Sequence, residues 1–146
     1  MASRLRLQPL RLSIGWKVAW NSFYELDPPT DRKSGDWLYF SEDLLLLANT
    51  SARVLLDVSW RPYGRKGRFV LSVVNWLGVG EMPEQWERPM IQVRTRSRKR
   101  VVRQLDAWLD PDRDWAALKR RARDAQAEPL RVTYVRSQKL YEAKVD

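Results

Sequence analysis

The chain has 146 residues, of which 44% are hydrophobic and 11% aromatic, and it carries a formal net charge of +9. This composition predicts one folded domain and excludes a largely disordered chain. The sequence contains neither cysteine nor histidine, which excludes disulfides, thiolate or imidazole catalysis, and metal sites built on those ligands. We therefore expect a non-enzymatic binding protein with no catalytic residues, no cofactor and no metal.

No segment of the sequence predicts a membrane span or a secretion signal. The longest apolar run, Leu44–Ala48, is far shorter than the ~20 residues that cross a bilayer. The N-terminus is basic but lacks the apolar core of a signal peptide. These features predict a cytoplasmic protein. We expect a single domain over residues 12–135, between a flexible basic arm at 1–11 and a C-terminal tail at 136–146.

The first predicted element is a strand over residues 12–24. Ile14, Trp16, Val18 and Trp20 recur with a period of two, which places them on one face of a half-buried strand. A pair of prolines ends this strand, because proline cannot donate a hydrogen bond to a sheet. A polar loop follows.

Two apolar segments come next in the chain. Trp37–Phe40 predicts a short strand. The four leucines at 44–47 fit either a helix capped by Ser41 or a buried strand. Periodicity does not decide between these two interpretations.

A β-hairpin is the clearest feature of the middle of the sequence. Residues 53–60 and 68–76 alternate in polarity on either side of a turn at 62–67 that contains two glycines. This pattern is typical of two antiparallel strands. Residues 90–95 predict a third strand of the same meander.

The hydrophobic period changes to that of a helix after Ser97, which is a suitable helix cap. Asp110-Pro111 ends this first helix. Asp112 is the predicted cap of a second helix, and residues 130–135 predict a last strand. The predicted fold is therefore α+β: an antiparallel β-sheet, arranged as a meander and packed on one face by C-terminal amphipathic helices.

The basic excess lies in the last third of the chain. Residues 1–90 carry 12 Lys and Arg against 10 Asp and Glu, whereas residues 91–146 carry 15 against 8. The densest basic cluster lies at the predicted start of the first helix, where positive charge opposes the helix dipole. A bound anion compensates such a cluster, either nucleic-acid phosphate or an acidic protein loop, and a solvated basic face is the alternative. The predicted phosphate-binding residues are Arg96, Arg98, Lys99, Arg100 and Arg103.

The eight tryptophans fall into two groups. Some aromatic residues lie at strand ends or in loops, where they suit a binding interface, because Trp, Tyr and Arg dominate interface hot spots. Others lie on apolar faces and are predicted core residues: Trp16, Trp20, Trp60, Trp108 and Trp115. The acid at position 57 is either paired with a cation of the next strand or a recognition acid. The predicted partner-binding residues are Trp37, Asp57, Tyr63, Trp86, Arg94 and Arg96.

Four groups of residues carry a resemblance to a known protein class. They are Trp20–Pro28, Trp37–Phe40 with Glu42–Leu45, Leu55–Pro62 with Gly67–Phe69, and Trp86–Pro89 with Thr95–Ser97, followed by the amphipathic helix. This order resembles small α+β immunity proteins of bacterial polymorphic-toxin and contact-dependent inhibition systems. The resemblance implies stoichiometric neutralisation of one cognate toxin, without a cofactor. Because this chain is basic, its toxin is expected to present an acidic face. The alternative is a basic nucleic-acid-binding accessory protein that uses residues 94–103.

Overall fold

The computed structural model describes residues 5–76 and 86–124, together with the backbone of residues 130–131. One sheet contains six strands in the order β1 to β6. Strands β1 to β5 form an antiparallel meander, and β6 pairs in parallel with β5. The strands are β1 (Trp16–Asn21), β2 (Leu45–Asn49), β3 (Val54–Arg61), β4 (Arg68–Asn75), β5 (Ile91–Thr95) and β6 (Leu130–Arg131); the helices are α1 (Arg98–Trp108), α2 (Trp115–Asp124) and a 3₁₀ helix (Gly35–Tyr39).

The sheet has a core face, which carries Leu47, Leu56 and Leu71, and a second face, which carries Asp57 and Ser72. Apolar residues of α1 and α2 join the core-face residues in one buried cluster, and α1 contacts β4 and β5. The α+β prediction, an antiparallel meander covered on one face by the C-terminal helices, is therefore confirmed. Helices on one face of an antiparallel sheet bury the apolar residues of both layers.

The four consecutive leucines form a strand rather than a helix. Leu45 and Leu47 are fully buried on the core face, whereas Leu46 points to the second face and pairs with Asp57 of β3. Strand β2 is hydrogen-bonded to neighbours on both sides. Leu46 on the half-buried second face is as apolar as its core-facing neighbours, which explains why the sequence shows no alternation here.

A bulge in β1 changes the predicted distribution of its apolar residues. Val18 pairs with Leu47, but after a shift in register Trp20 pairs with Leu46. Paired residues of neighbouring strands share a face, so Trp20 lies on the opposite face from Val18. Its side chain is 54% exposed. The prediction that Trp20 is a core residue is therefore wrong, because the extra residue of a bulge breaks the period of two.

A 3₁₀ helix replaces the short strand predicted at Trp37–Phe40. The Ser34 hydroxyl accepts a hydrogen bond from the backbone N–H of Asp36 and caps the first turn. Trp37 is buried and packs against Phe40 and Trp60 with ring centroids 5.8 and 6.0 Å apart. The tight turn places the Trp37 ring in the core. In a strand, successive side chains of this segment would instead point to opposite faces.

Both helices have side-chain caps, and one of them differs from the prediction. The Ser97 hydroxyl accepts from the backbone N–H of Arg100, which confirms Ser97 as the cap of α1. At α2 the Asp114 carboxylate accepts from the backbone N–H of Ala117, so Asp114 takes the position predicted for Asp112. The intervening Asp112 N–H donates to the Asp110 carboxylate instead. Asp112 and Asp114 are only two residues apart and are equally suitable cap residues, so the sequence does not show which of them caps the helix.

The ends of the described chain add local contacts. Residues 6–8 pair with residues 23–25, through the Leu7–Tyr24 bridge and the Gln8 N–H donating to the Phe23 carbonyl at 2.8 Å. The last predicted strand is present at residues 130–131, while residues 132–135 and the predicted tail lie outside the described residues. The proposed limits of the domain remain a prediction. Neither α1 nor α2 has the length and apolar character of a helix that crosses a membrane.

Candidate functional site

Two basic segments that are distant in sequence meet at one end of the sheet. The Arg96 Nη1 donates to the backbone carbonyls of Arg65 and Gly67, at 2.7 and 2.6 Å. The guanidinium carbon of Arg96 also lies 5.5 Å from the centre of the Trp60 ring. Arg96 therefore joins the β3–β4 turn to the end of β5. Because these two acceptors are carbonyls rather than carboxylates, the contacts orient the positive charge of Arg96 without cancelling it.

Arg98 is positioned by two side chains from the N-terminal part of the chain. Its Nε donates to Asp27 Oδ1 at 3.0 Å, and its Nη1 donates to Gln8 Oε1 at 2.5 Å. The Arg98 side chain is 16% exposed, whereas that of Asp27 is 70% exposed. The arginine is thus fixed in the protein surface, and its carboxylate partner lies on the solvent side.

An open groove of about 510 Å³ lies between these two arrangements. We use the name basic corner for the four cations that line it: Arg65, Arg96, Arg98 and Lys99. Its remaining lining residues are Asp27, Pro28, Pro29, Thr30 and Ser97. Four cations face a single carboxylate in this groove, so its electrostatic potential is positive and favours an anionic group.

The N-terminus of α1 adds to the same positive potential. Its first residues, Arg98 and Lys99, are in the groove lining, and no acid occupies the first turn. The partial positive charge of a helix N-terminus favours carboxylate or phosphate oxygens. The groove can therefore bind an anion through guanidinium, ammonium and helix-end donors together.

Further predicted residues lie close to the basic corner in sequence. Tyr63 is 72% exposed in the β3–β4 turn, two residues before Arg65, and Lys66 follows in the same exposed turn. Arg103 is exposed one helical turn after Lys99. Arg100 is half-buried and is not part of the groove lining. The structure therefore brings together Arg96, Arg98 and Lys99 of the predicted phosphate-binding set.

Asp57 and Arg94 lie on the second face of the sheet and do not line the groove. Asp57 is half-buried between Leu46 and Ser72. Burial raises the pKa of Asp57 to about 7, nearby Arg61 opposes this shift, and Asp43 adds to it. No ion pair joins Asp57 to another residue in the described ranges.

Arg94 is exposed, and its Nη2 donates to Gln92 Oε1 at 3.2 Å. Gln92 in turn contacts the Ser72 hydroxyl at 3.4 Å, directly opposite it in the sheet. Asp57, Ser72 and Gln92 thus form a polar row across the second face. This row is separate from the basic corner.

The two predicted tryptophans also lie away from the groove. Trp37 is buried in the core, so its ring is unavailable at the surface in this conformation. Trp86 is half-buried, and its buried Nε1 has no hydrogen-bond partner among the residues that the structure describes. Tyr63 is therefore the predicted aromatic residue that the structure exposes beside the basic corner.

Sequence reasoning missed the residues that complete the groove. In the sequence, Pro28 and Pro29 indicate only the end of a strand, Asp27 stands just before them, and Arg65 is only part of the turn at 62–67. The Arg98–Asp27 ion pair spans 71 positions, and the Arg96–Arg65 hydrogen bond spans 31. Neither contact leaves a local pattern. The one available signal was an acidic residue next to a rigid pair of prolines.

No group of three or more acidic residues suitable for a metal ion occurs in the part of the chain that the structure describes. Comparisons with protein-family models, curated proteins and solved structures found no match. The function of the chain is therefore argued from its own residues.

Proposed function

We propose that this protein is a non-enzymatic binding protein that docks through the basic corner onto an acidic protein surface. The observation that carries this proposal is the convergence of Arg65, Arg96, Arg98 and Lys99 on one groove with a single carboxylate. Such a surface steers an acidic partner and discriminates against basic ones. Exposed Tyr63 supplies an aromatic contact next to it.

The resemblance to immunity proteins supports a specific partner. An immunity protein binds its cognate toxin in a fixed ratio and blocks it without chemistry of its own. The lack of histidine and cysteine is consistent with that mode of action. The proposed partner is a bacterial toxin with an acidic face, neutralised inside the cell that produces both proteins.

Co-expression with the product of the neighbouring gene, which the proposal expects to be a toxin, tests this proposal in a bacterial host. The wild-type chain is expected to restore growth. A double variant, Arg65→Glu with Lys99→Glu, is expected to lose protection, because it reverses two exposed charges of the basic corner. Arg120→Glu is the matched control, since Arg120 is exposed on α2 outside the groove.

Three results contradict the proposal. One is growth inhibition that the wild-type chain does not relieve, although both proteins accumulate in the host. Another is full protection by the double variant, with circular dichroism showing that it is folded. Protection that is lost equally in the Arg120→Glu control indicates a general dependence on charge rather than a docking site, and it also counts against the proposal.

Nucleic-acid binding is the second candidate, and one observation favours it. Lys99 and Arg103 are both exposed and lie one turn apart on α1, so they extend the positive surface beyond the groove. Binding through phosphates weakens steeply with salt, by roughly 0.9 in log K per contact for each unit of log salt on duplex DNA. If log K for a duplex probe does not change with log salt, this candidate is excluded.

A further inference from the structure

The two side chains of the Arg98–Asp27 ion pair differ in their exposure to solvent. Arg98 is mostly buried and held by a second hydrogen bond from its Nη1 to Gln8 Oε1, whereas the Asp27 carboxylate is largely exposed. Loss of this ion pair would release Asp27 into solvent and leave Arg98 in place. An exposed ion pair contributes little, about a two- to five-fold factor in an equilibrium constant. Asp27 is therefore easily replaced on Arg98 by another carboxylate.

The groove has room and additional cations for such a replacement. Its volume of about 510 Å³ accommodates a short peptide segment. Lys99 and Arg65 are exposed on its walls and form no ion pair with another residue in the described ranges. A carboxylate entering beside Arg98 therefore meets further positive charge that Asp27 alone leaves unused.

The lining also distinguishes between kinds of anion. Pro28 and Pro29 form a rigid apolar part of the wall, which suits the aliphatic atoms of a peptide.

Building on the proposed function, we infer that Asp27 competes with a carboxylate of the partner for the Arg98 guanidinium. In the free protein Asp27 occupies Arg98. On binding, an Asp or Glu side chain from an acidic peptide segment displaces Asp27 and contacts Arg98. The segment is also attracted by the positive charges of Lys99 and Arg65. The ion pair of the free protein thus lowers affinity for weakly acidic segments and raises the selectivity of the site for clusters of acids.

Isothermal titration of the full chain with a short acetylated peptide rich in Glu and Asp tests this inference. The matching peptide with Gln and Asn is the control ligand. Asp27→Asn is expected to bind the acidic peptide about two- to five-fold more tightly, since the competing carboxylate is gone. Lys99→Gln is expected to bind it at least two-fold more weakly, and Arg120→Gln is expected to match the wild type.

Lys99 is exposed, so its variant tests the site even if substitution at Arg98 disturbs the fold. Equal affinity of the wild type, Asp27→Asn and Lys99→Gln for the peptide overturns the inference. Tighter binding of a single-stranded oligonucleotide than of the acidic peptide overturns it in favour of a phosphate ligand. Toxin protection without peptide binding refutes this inference alone, whereas peptide binding without protection refutes the proposed function alone.

Discussion

Gly67 is the residue on which the geometry of the β3–β4 turn depends most directly. A Cβ atom at this position would lie 2.2 Å from the Pro62 carbonyl oxygen and 2.2 Å from Trp60 Nε1. These distances are far inside van der Waals contact, and the first of them is to backbone. The carbonyl of Gly67 also accepts from Arg96, so the turn holds one cation of the basic corner in place.

Gly67→Ala is therefore expected to lower the free energy of unfolding by about 2–3 kcal/mol, as other overpacked sites do. Urea denaturation of the purified variant measures this loss. Gly35→Ala is the control, because a Cβ there has no atom within 4 Å. Equal stability of the two variants would contradict the packing described for this turn.

Residue types predicted the character of the site better than the contacts within it. The run of arginines around Ser97 indicated an anion-binding region, and Arg96, Arg98 and Lys99 do line one groove. The sequence did not reveal that Arg96 is bound to backbone carbonyls or that Arg98 pairs with Asp27. Carbonyl acceptors carry no sequence signature, because every residue has one.

At the scale of elements, one lysine connects α2 to the turn between β2 and β3. Lys119 Nζ donates to the carbonyls of Ala52 and Arg53, at 2.5 and 3.0 Å. Arg53 has a positive φ of 54°, an uncommon conformation for a residue with a side chain. The helix thus satisfies two carbonyls of a turn that has an unusual backbone.

Lys119→Met keeps the aliphatic chain and removes the donor. We expect a loss of about 1–2 kcal/mol in the free energy of unfolding, because the partly buried Ala52 carbonyl loses its hydrogen bond from Lys119 and the Arg53 carbonyl keeps the one from the Trp76 N–H. Thermal and urea unfolding report this change. Arg120→Met, at the adjacent exposed position, is expected to unfold like the wild type. A loss shared equally by both variants would show that the effect belongs to charge or helix propensity.

Elements with a clean hydrophobic period were predictable, and those shaped by long-range contacts were not. The β3–β4 hairpin and α1 follow their periods of 2 and 3.6 residues closely. Strand β2 was ambiguous because its half-buried second face carries Leu46 and Ala48, which are as apolar as the residues of its core face. The 3₁₀ helix depends on packing of Trp37 with Phe40 and Trp60, which the local sequence does not encode.

At the scale of the whole molecule, Asp57 makes stability depend on pH. Its pKa is raised from 3.8 to about 7 in the folded protein, mainly by burial. Between these values the folded state binds more protons than the unfolded state. The free energy of unfolding therefore falls as the pH rises from about 4 to 7, and this contribution levels off above the folded pKa.

Asp57→Asn removes this dependence. The variant is expected to be more stable than the wild type above pH 7, by on the order of 2–4 kcal/mol after allowance for partial solvent exposure. Near pH 4 the two proteins are expected to differ little. Urea unfolding between pH 4 and 8.5 measures the difference, with Asp106→Asn at an exposed site of α1 as the control. A difference that is constant with pH would contradict the role of burial.

The bulge in β1 has a consequence for how molecules of this protein meet one another. An open sheet edge with regular spacing of N–H and carbonyl groups can template growth of the sheet by a neighbouring molecule. Here the register shifts between Val18 and Trp20, and exposed Lys17 lies just before the shift. A second straight strand can match this edge over only a few residues. The irregularity thus disfavours edge-to-edge pairing of this tryptophan-bearing strand with a second molecule.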